Sequence, residues 1–285
     1  MAPYIRQMRF SHWIKNGVCI GGLLFSQKYL EIQYYLPVLL TFISFGFAAS
    51  AVYIFNDIID RDLDKCHPIK RSRPIASGQL SLIQAFLQNT LLVTTSLALA
   101  FSIDKSVFNC IVAYLILNII YSLKLKQIVI IDVVCIASGF VLRLLAGIFA
   151  IKSQPTLWIL SCTFFLMLFL GFCKRYSEFI RFKKKDPKIS RPSLEKYNLR
   201  VINGLLITTL ISTLILYVIF TLFSSKSMML VMTAPLVFWG LIYYYKITRN
   251  THASEYPENQ FLRNRKLQWI IALWLILFLG IDFLY

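Results

Sequence analysis

The feature that most limits how this chain can fold is a succession of nine apolar stretches, at 12–30, 35–55, 83–103, 107–123, 129–151, 156–174, 201–223, 228–246 and 267–284. A bilayer core about 30 Å thick takes roughly 20 residues of helix, and each stretch is near that length. Their Leu, Ile, Val and Phe run on without the alternation of a membrane β-strand, so helices are expected. Composition agrees, with 58% of residues hydrophobic and 15% charged, whereas soluble domains are about 45–50% apolar and about 25% charged. A disordered chain, a collagen-like fibre and an ordinary soluble globule are excluded. The expected fold class is all-α integral membrane, a bundle of nine transmembrane helices forming a single domain over residues 1–285. The first stretch lacks a small-residue cleavage site and reads as part of the mature chain.

So apolar a chain carries a net charge of +17, and the position of the charge matters more than its size. With nine spans, 25 of the 30 Lys and Arg fall on one side. They are Arg6, Arg9 and Lys15; Arg61, Lys65, Lys70, Arg71 and Arg73; Lys124 and Lys126; the ten from Lys174 to Arg200; and Lys246, Arg249, Arg263, Arg265 and Lys266. The other side has Lys28, Lys105, Lys152 and Lys226, and Arg143 lies inside a span. The positive-inside rule makes the crowded side cytoplasmic, with the N-terminus inside and the C-terminus outside. A multi-pass protein of the cell membrane is expected. Nucleic acid is not the expected partner, because no soluble basic domain exists to hold it. The six cysteines are scattered without CxxC pairing and read as small packing residues, not as a disulfide framework or zinc site.

Only 13 acidic residues exist, and four of them fall between Asn56 and Asp64. Continued as helix, Asn56, Asp57, Asp60 and Asp64 share an arc of about 100°, while Asp62 points away. Three carboxylates on one stripe repel each other unless something positive sits among them. A hard divalent cation such as Mg²⁺, or Mn²⁺ in its place, suits oxygen donors and commonly shares them with substrate phosphates. A solvated loop pairing its own Lys and Arg is the plain alternative. Next come Pro68 and Pro74, which break helix and place Lys70, Arg71 and Arg73 on a loop near the carboxylates. Metal-holding carboxylates beside phosphate-holding cations suit a diphosphate, with non-specific contact to anionic lipid as the bland reading of the cations. His67 alone points equally to loop packing.

These residues carry a resemblance. Asn56, Asp57, Asp60 and Asp64 in the spacing NDxxDxxxD, followed by KRxRPIxxG, resemble the UbiA superfamily of intramembrane prenyltransferases. Further motifs resemble its polyprenyl-phosphate (decaprenyl-phosphate) phosphoribosyltransferase branch. They are Arg9-Phe-Ser-His-Trp13-Ile-Lys15-Asn16, Tyr121-Ser-Leu-Lys124-Leu-Lys126, Asp132 with Gly139-Phe-Val-Leu-Arg143, Gly171-Phe-Cys-Lys174-Arg175-Tyr176-Ser-Glu178, and Pro257-Glu258. The first departs from the branch, which usually has Arg-Pro-Arg-Gln before Trp13. The resemblance implies a UbiA-like bundle whose cytoplasmic loops 56–82 and 175–200 carry site residues. It also implies transfer of 5-phosphoribose from phosphoribosyl pyrophosphate to a polyprenyl phosphate for cell-envelope glycan precursors. Under it, Asp57, Asp60 and Asp64 hold Mg²⁺, Asn56 orients them, and Asp132 serves as a reduced second Asp motif, with Ile136 where a partner carboxylate would stand.

The remaining cations then fall into candidate phosphate contacts. Lys70, Arg71 and Arg73, with Lys174 and Arg175, are expected on the donor, Glu178 fixing the last two. Lys15, Tyr121, Lys124 and Lys126 are candidates for the acceptor phosphate. Asp132, Gly139 and Arg143 share a stripe of the fifth span. Arg143 is an intramembrane cation and reads equally as site or as structural contact. Arg181 to Lys188 reads as a surface patch for anionic lipid. Two rivals stay open: a prenyltransferase moving a polyprenyl group from its diphosphate to an aromatic acceptor, and a non-enzymatic anionic-lipid transporter. Self-association is also left open.

Overall fold

The computed structural model describes residues 2–185, 197–223, 228–251 and 257–284, and every regular element among them is helical. In chain order these are α1 (Ala2–Met8), α2 (Gly21–Phe25), α3 (Tyr35–Ile59), α4 (Arg61–Cys66), α5 (Leu82–Ile103), α6 (Lys105–Leu123), α7 (Ile131–Ala150), α8 (Leu157–Lys185), α9 (Leu199–Phe223), α10 (Ala234–Thr251), α11 (Pro257–Arg263) and α12 (Arg265–Leu284). Among the described residues, eight helices are long and apolar enough to cross a membrane, on α3, α5, α6, α7, α8, α9, α10 and α12. They coincide with the second to ninth apolar stretches.

The first stretch differs from expectation. Residues 12–30 are not one α-helix: Phe10–Ile20 is a 3-10 helix of 11 residues, followed by α2. Such runs rarely exceed about four residues. The tighter winding has a packing reason, since a period near three stacks Trp13, Asn16, Cys19 and Gly22 on one line. A Cβ on Gly22 would stand 2.5 Å from the backbone of Gly147, and one on Gly147 would stand 2.0 Å from the Cys19 carbonyl. The segment therefore lies backbone against backbone on α7. At about 2.0 Å per 3-10 residue and about 1.5 Å per α residue, Phe10–Phe25 still extends about 30 Å.

The chain divides into two compact units, one of residues 1–125 and 139–155, the other of residues 126–138 and 156–285. In the first, α3 packs along α5 and beneath the 3-10 helix around Phe45, Ala48, Val52, Ile111 and Tyr114. Ser44 Oγ donates to Ser96 O at 2.6 Å and Ser96 Oγ donates to Ser44 O at 2.8 Å, small polar contacts of the kind that join helices in lipid. In the second unit, α8 packs along α9 around Phe169, Phe172, Tyr176 and Leu206. Trp274 Nε1 donates to Tyr217 OH at 2.8 Å. Large side chains such as Leu36, Leu91, Ile215, Trp269 and Ile276 are left uncovered by protein, as the apolar stretches require of a face turned to lipid.

What positions the candidate site is the end of α3. Its ladder runs on past Ile59, with Asp60 N–H donating to Asn56 O at 2.9 Å and Asp64 N–H to Asp60 O at 2.8 Å. The acidic stripe is therefore helical to Cys66, as its spacing predicts. Pro68 then enforces a loop, and the chain re-enters helix at Ser81, whose hydroxyl accepts from Gln84 N–H in a capping box.

Candidate functional site

Only Asn56 separates Asp57 from the apolar run of α3, and Asp64 lies two turns beyond Asp57. Both are buried, Asp57 at 1% and Asp64 at 2% exposure. A buried carboxylate without a partner is costly, and both find one in the basic loop. Arg73 Nη1 donates to Asp57 Oδ1 at 2.9 Å and to Asp64 Oδ2 at 2.6 Å. Lys70 Nζ lies 3.9 Å from Asp64 Oδ1. Asp60 is half-buried on the same helical stretch, Asn56 is half-buried, and Arg71 is exposed.

The N-terminal segment completes the cluster. Arg9 stands in the left-handed region at φ 52°, ψ 53°, where α1 gives way to the 3-10 helix. A non-glycine residue there carries strain, and its guanidinium supplies the compensating contact. Arg9 Nη2 donates to Asp57 Oδ1 at 2.7 Å and to Oδ2 at 2.6 Å, and the guanidinium lies 5.0 Å from the Tyr53 ring centroid. Gln7 Nε2 donates to Asp57 Oδ2 at 2.7 Å. Arg6 Nη2 donates to Ser72 O at 3.0 Å, tying α1 to the basic loop. The loop is stiffened from inside, because His67 Nδ1 accepts from the N–H groups of Ile69 and Lys70, each at 3.2 Å. Burial, with Lys70 beside it, holds the His67 pKa below its ordinary 6.5, which keeps the accepting neutral ring. Asp62 faces outward, where the hydrogen bond from Lys65 at 2.8 Å lowers its pKa.

The chemistry of this donor set suits a hard divalent cation. Two carboxylate oxygens from different turns converge on one cationic nitrogen, Arg73 Nη1. Gln7 Oε1 is a buried oxygen without a hydrogen-bond partner, on the amide that touches Asp57. Among the described residues, however, no three His, Cys, Asp or Glu side chains converge as a ready-made metal site. The guanidinium stands where the two carboxylates meet.

The second unit has its own buried ionic cluster. Asp132, at the start of α7, is fully buried, and Arg175 on α8 is 1% exposed. Arg175 Nε lies 2.6 Å from Asp132 Oδ2, and its Nη1 donates to Glu178 Oε2 one turn along. Lys174 Nζ lies 3.9 Å from Glu178 Oε1. Tyr197 OH donates to Asp132 Oδ1 at 3.2 Å and accepts from Ile130 N–H at 2.9 Å. Burial, then the nearby Asp132 charge, pushes the Tyr197 pKa up, so the phenol stays protonated. Ile130 itself has φ 71°, a true outlier for a β-branched residue.

Comparison with known proteins places the chain. The model of the UbiA prenyltransferase family matches residues 18–265. The chain belongs to the UbiA prenyltransferase family. A protein of Mycobacterium tuberculosis named decaprenyl-phosphate phosphoribosyltransferase is 29% identical over 282 residues, covering 96% of this chain and 92% of that protein. The protein of the same name from Corynebacterium glutamicum is 33% identical over 202 residues, 68% of this chain, and the match spans only 59% of that relative's length. Among solved structures, a UbiA homolog from Archaeoglobus fulgidus bound to GPP and Mg2+ superposes with a TM-score of 0.73 at 21% identity, covering 98% of this chain and 99% of that one. That likeness speaks to the fold.

Within this UbiA fold, the sequence-predicted residues separate into groups. Asp57, Asp64, Lys70 and Arg73 come together as expected. Asp132, Lys174 and Arg175 also come together, but the Arg175 guanidinium is directed at two carboxylates. Arg143, 6% exposed, donates to Asn16 Oδ1 at 2.8 Å, Gly139 O at 2.8 Å and Tyr114 OH at 2.9 Å, with the Tyr114 centroid at 4.5 Å. All three acceptors are neutral, so Arg143 pins the 3-10 helix to α6 and α7. Lys15, Tyr121 and Lys126 are half-buried and Lys124 is exposed. Residues 186–196 of the expected 175–200 loop, and the Pro257 and Glu258 side chains, lie outside the described residues. Sequence reasoning missed Gln7, Arg9 and Tyr197 as site residues. Arg9 had a signal, since it opens the motif ending at Lys15-Asn16. Gln7 and Tyr197 had none.

Proposed function

We propose that this UbiA-family protein transfers 5-phosphoribose from phosphoribosyl pyrophosphate to a polyprenyl phosphate, releasing diphosphate, for assembly of a cell-envelope glycan precursor. The observation that carries the reading is the convergence of Asp57 and Asp64 on one cationic position, ringed by Arg9, Lys70 and Arg73. The names of the relatives, one of them aligned over nearly its whole length, support the choice of substrates. Asp57 and Asp64, with Asp60 on their stripe, would hold Mg²⁺ (or Mn²⁺), and Asn56 and Gln7 would orient them. When bound, the ion neutralises charge developing on the leaving diphosphate. Arg9, Lys70, Arg71 and Arg73 bind the donor's phosphates, the guanidinium forks matching their oxygens. Lys15, Tyr121, Lys124 and Lys126 serve the acceptor phosphate, which is ionised near neutral pH and needs no strong base. Attack opposite the departing diphosphate inverts C1.

Asp132 in this reading is a positioning group. Its carboxylate is engaged by Arg175 and Tyr197, and Ile136 stands where a second metal-binding carboxylate would be. This favours a one-cluster phosphoribosyl donor over a lipid diphosphate gripped at two clusters. The bilayer supplies the acceptor, and the proposed setting is the cell membrane with the site on the cytoplasmic side, where the positive-inside rule puts the basic loops. Purified protein in detergent with labelled phosphoribosyl pyrophosphate, Mg²⁺ and polyprenyl phosphate should yield a labelled lipid. No labelled lipid there, but product from a prenyl diphosphate and 4-hydroxybenzoate, overturns the reading.

A further inference from the structure

Charge balance at the Asp57 cluster points to an order of binding. Asp57 and Asp64 bring two buried negative charges and half-buried Asp60 a third on the same stripe, and Arg9 and Arg73 bring two positive charges within 2.6–2.9 Å of Asp57 and Asp64. Lys70 adds a third cation at 3.9 Å. A bare divalent cation approaching this set meets carboxylates that are already neutralised, and it meets Arg73 at the point where they converge. A metal–diphosphate complex meets something different. It is an anion, it offers the two guanidinium forks new oxygens in bidentate geometry, and it leaves the carboxylates to the metal.

We propose that Arg73 is an exchangeable counter-ion. It bridges Asp57 and Asp64 and would pass to the diphosphate when a metal–diphosphate binds, freeing both carboxylates to hold the metal. Arg9, held by its left-handed backbone, keeps Asp57 oriented. The divalent ion therefore binds with the diphosphate and not before it. Arg73 is in this sense a positioning residue for the metal as well as a ligand of the substrate. This rests on the metal–diphosphate reading of the site proposed above.

The discriminating measurement is Mn²⁺ binding by the purified full-length protein in detergent, followed by electron paramagnetic resonance, with and without inorganic diphosphate. Mn²⁺–diphosphate without protein is the control. Wild type should bind free Mn²⁺ weakly and bind it at least about tenfold more tightly once diphosphate is present. Arg73→Gln removes the competing charge, so it should bind Mn²⁺ without diphosphate at least about tenfold more tightly than wild type, and diphosphate should add little. Arg73→Lys keeps a cation there and should bind free Mn²⁺ as weakly as wild type. Arg9→Gln, which leaves the bridge intact, should shift Mn²⁺ binding less than Arg73→Gln, so the contrast survives if one variant folds poorly. Tight binding of free Mn²⁺ by wild type, or unchanged Mn²⁺ affinity in folded Arg73→Gln, overturns the exchange and leaves the metal reading standing. If wild type binds no Mn²⁺ even with diphosphate, the metal reading itself fails, and the exchange with it.

Discussion

Arg175 Nε lies 2.6 Å from Asp132 Oδ2, with the two side chains 1% and 0% exposed. A pair so deeply buried is costly to break and less costly to replace. Removing one partner leaves a bare charge and typically costs about 3–5 kcal/mol. Arg175→Met should therefore lower the melting temperature of the protein in detergent sharply. The double variant Arg175→Met with Asp132→Asn should recover much of the loss, leaving Glu178 to Lys174, whose Nζ lies 3.9 Å from Glu178 Oε1. If Arg175 instead serves as a phosphate ligand with little structural duty, the single variant will melt like wild type.

Tyr197 and Ile130 make a second test of the same region. The tyrosine hydroxyl accepts the N–H of Ile130 and donates to Asp132. Tyr197→Phe leaves a part-buried N–H and a carboxylate oxygen short of a partner, at a cost of about 1–3 kcal/mol. Ile130→Gly and Ile130→Ala both lose the partly covered side chain, but only glycine relieves the left-handed strain, so Ile130→Gly should be more stable than Ile130→Ala by about 1 kcal/mol. Thermal melts compare the two Ile130 variants. Equal melting temperatures would mean that the φ of 71° at Ile130 stores no strain.

How much of this was legible in the sequence depends on the range over which each signal acts. Span positions rest on local composition, and among the described residues eight apolar stretches fall on helices long enough to cross a membrane. The acidic stripe rests on helical spacing, and it survived the turn at Asp60. The first stretch departs from a single α-helix because its geometry is decided by a partner: Gly147 lets the Cys19 carbonyl approach, and no hydropathy window on residues 12–30 contains Gly147. The buried partners of the arginines lay beyond local spacing for a like reason. Helix spacing gives the Arg175–Glu178 pair, but the contacts of Arg175 with Asp132 and of Arg73 with Asp57 and Asp64 exist because burying those carboxylates uncompensated is costly. Arg9 lies 48 residues from Asp57, and only the fold brings them together.

The close approach at Gly147 has a direct consequence. A methyl group there would sit 2.0 Å from the Cys19 carbonyl oxygen, while one on Gly204 meets nothing within 4 Å. Gly147→Ala should destabilise by about 1–3 kcal/mol or more as the 3-10 segment is pushed off α7. Gly204→Ala lies in the interior of α9 and should stabilise by about 0.5–1 kcal/mol. Detergent melts of both are read against wild type, and a Gly147→Ala variant that melts like Gly204→Ala contradicts the close approach.

The basic loop should loosen in mild acid. His67 is held neutral in the folded loop, its pKa lowered from 6.5 by burial and by Lys70 and Arg73, with Asp64 opposing. The unfolded loop binds the proton more readily than the folded one. The stabilisation from His67 is thus complete above the ordinary value and fades as the pH falls from about 6.5 toward the lower folded value. Limited proteolysis of loop 67–81 should accelerate below about pH 6.5 in wild type. In His67→Asn, whose amide oxygen accepts the same N–H groups without titrating, the rate should stay flat. A wild-type profile that is flat from pH 7.5 to 5.5 rules this out.

Asp57 and Asp62 offer the sharpest contrast within one helix. Asp57 is buried and takes contacts from Gln7, Arg9 and Arg73; Asp62 is exposed and touches Lys65. If Asp57 holds the metal that neutralises the leaving diphosphate, Asp57→Asn should lower transfer of labelled phosphoribose by at least about 10²–10³-fold. The same substitution also strips a charge from between two guanidiniums. A loss of about 1–3 kcal/mol should accompany it, even though the amide keeps the volume. Asp62→Asn should leave both rate and melting temperature as they are, since solvent screens so exposed a pair. Rates measured at matched folded fraction separate the two effects of Asp57→Asn. A variant that retains most of its rate once folding is corrected for would remove Asp57 from the metal site, and with it the reason for the arginines that surround it.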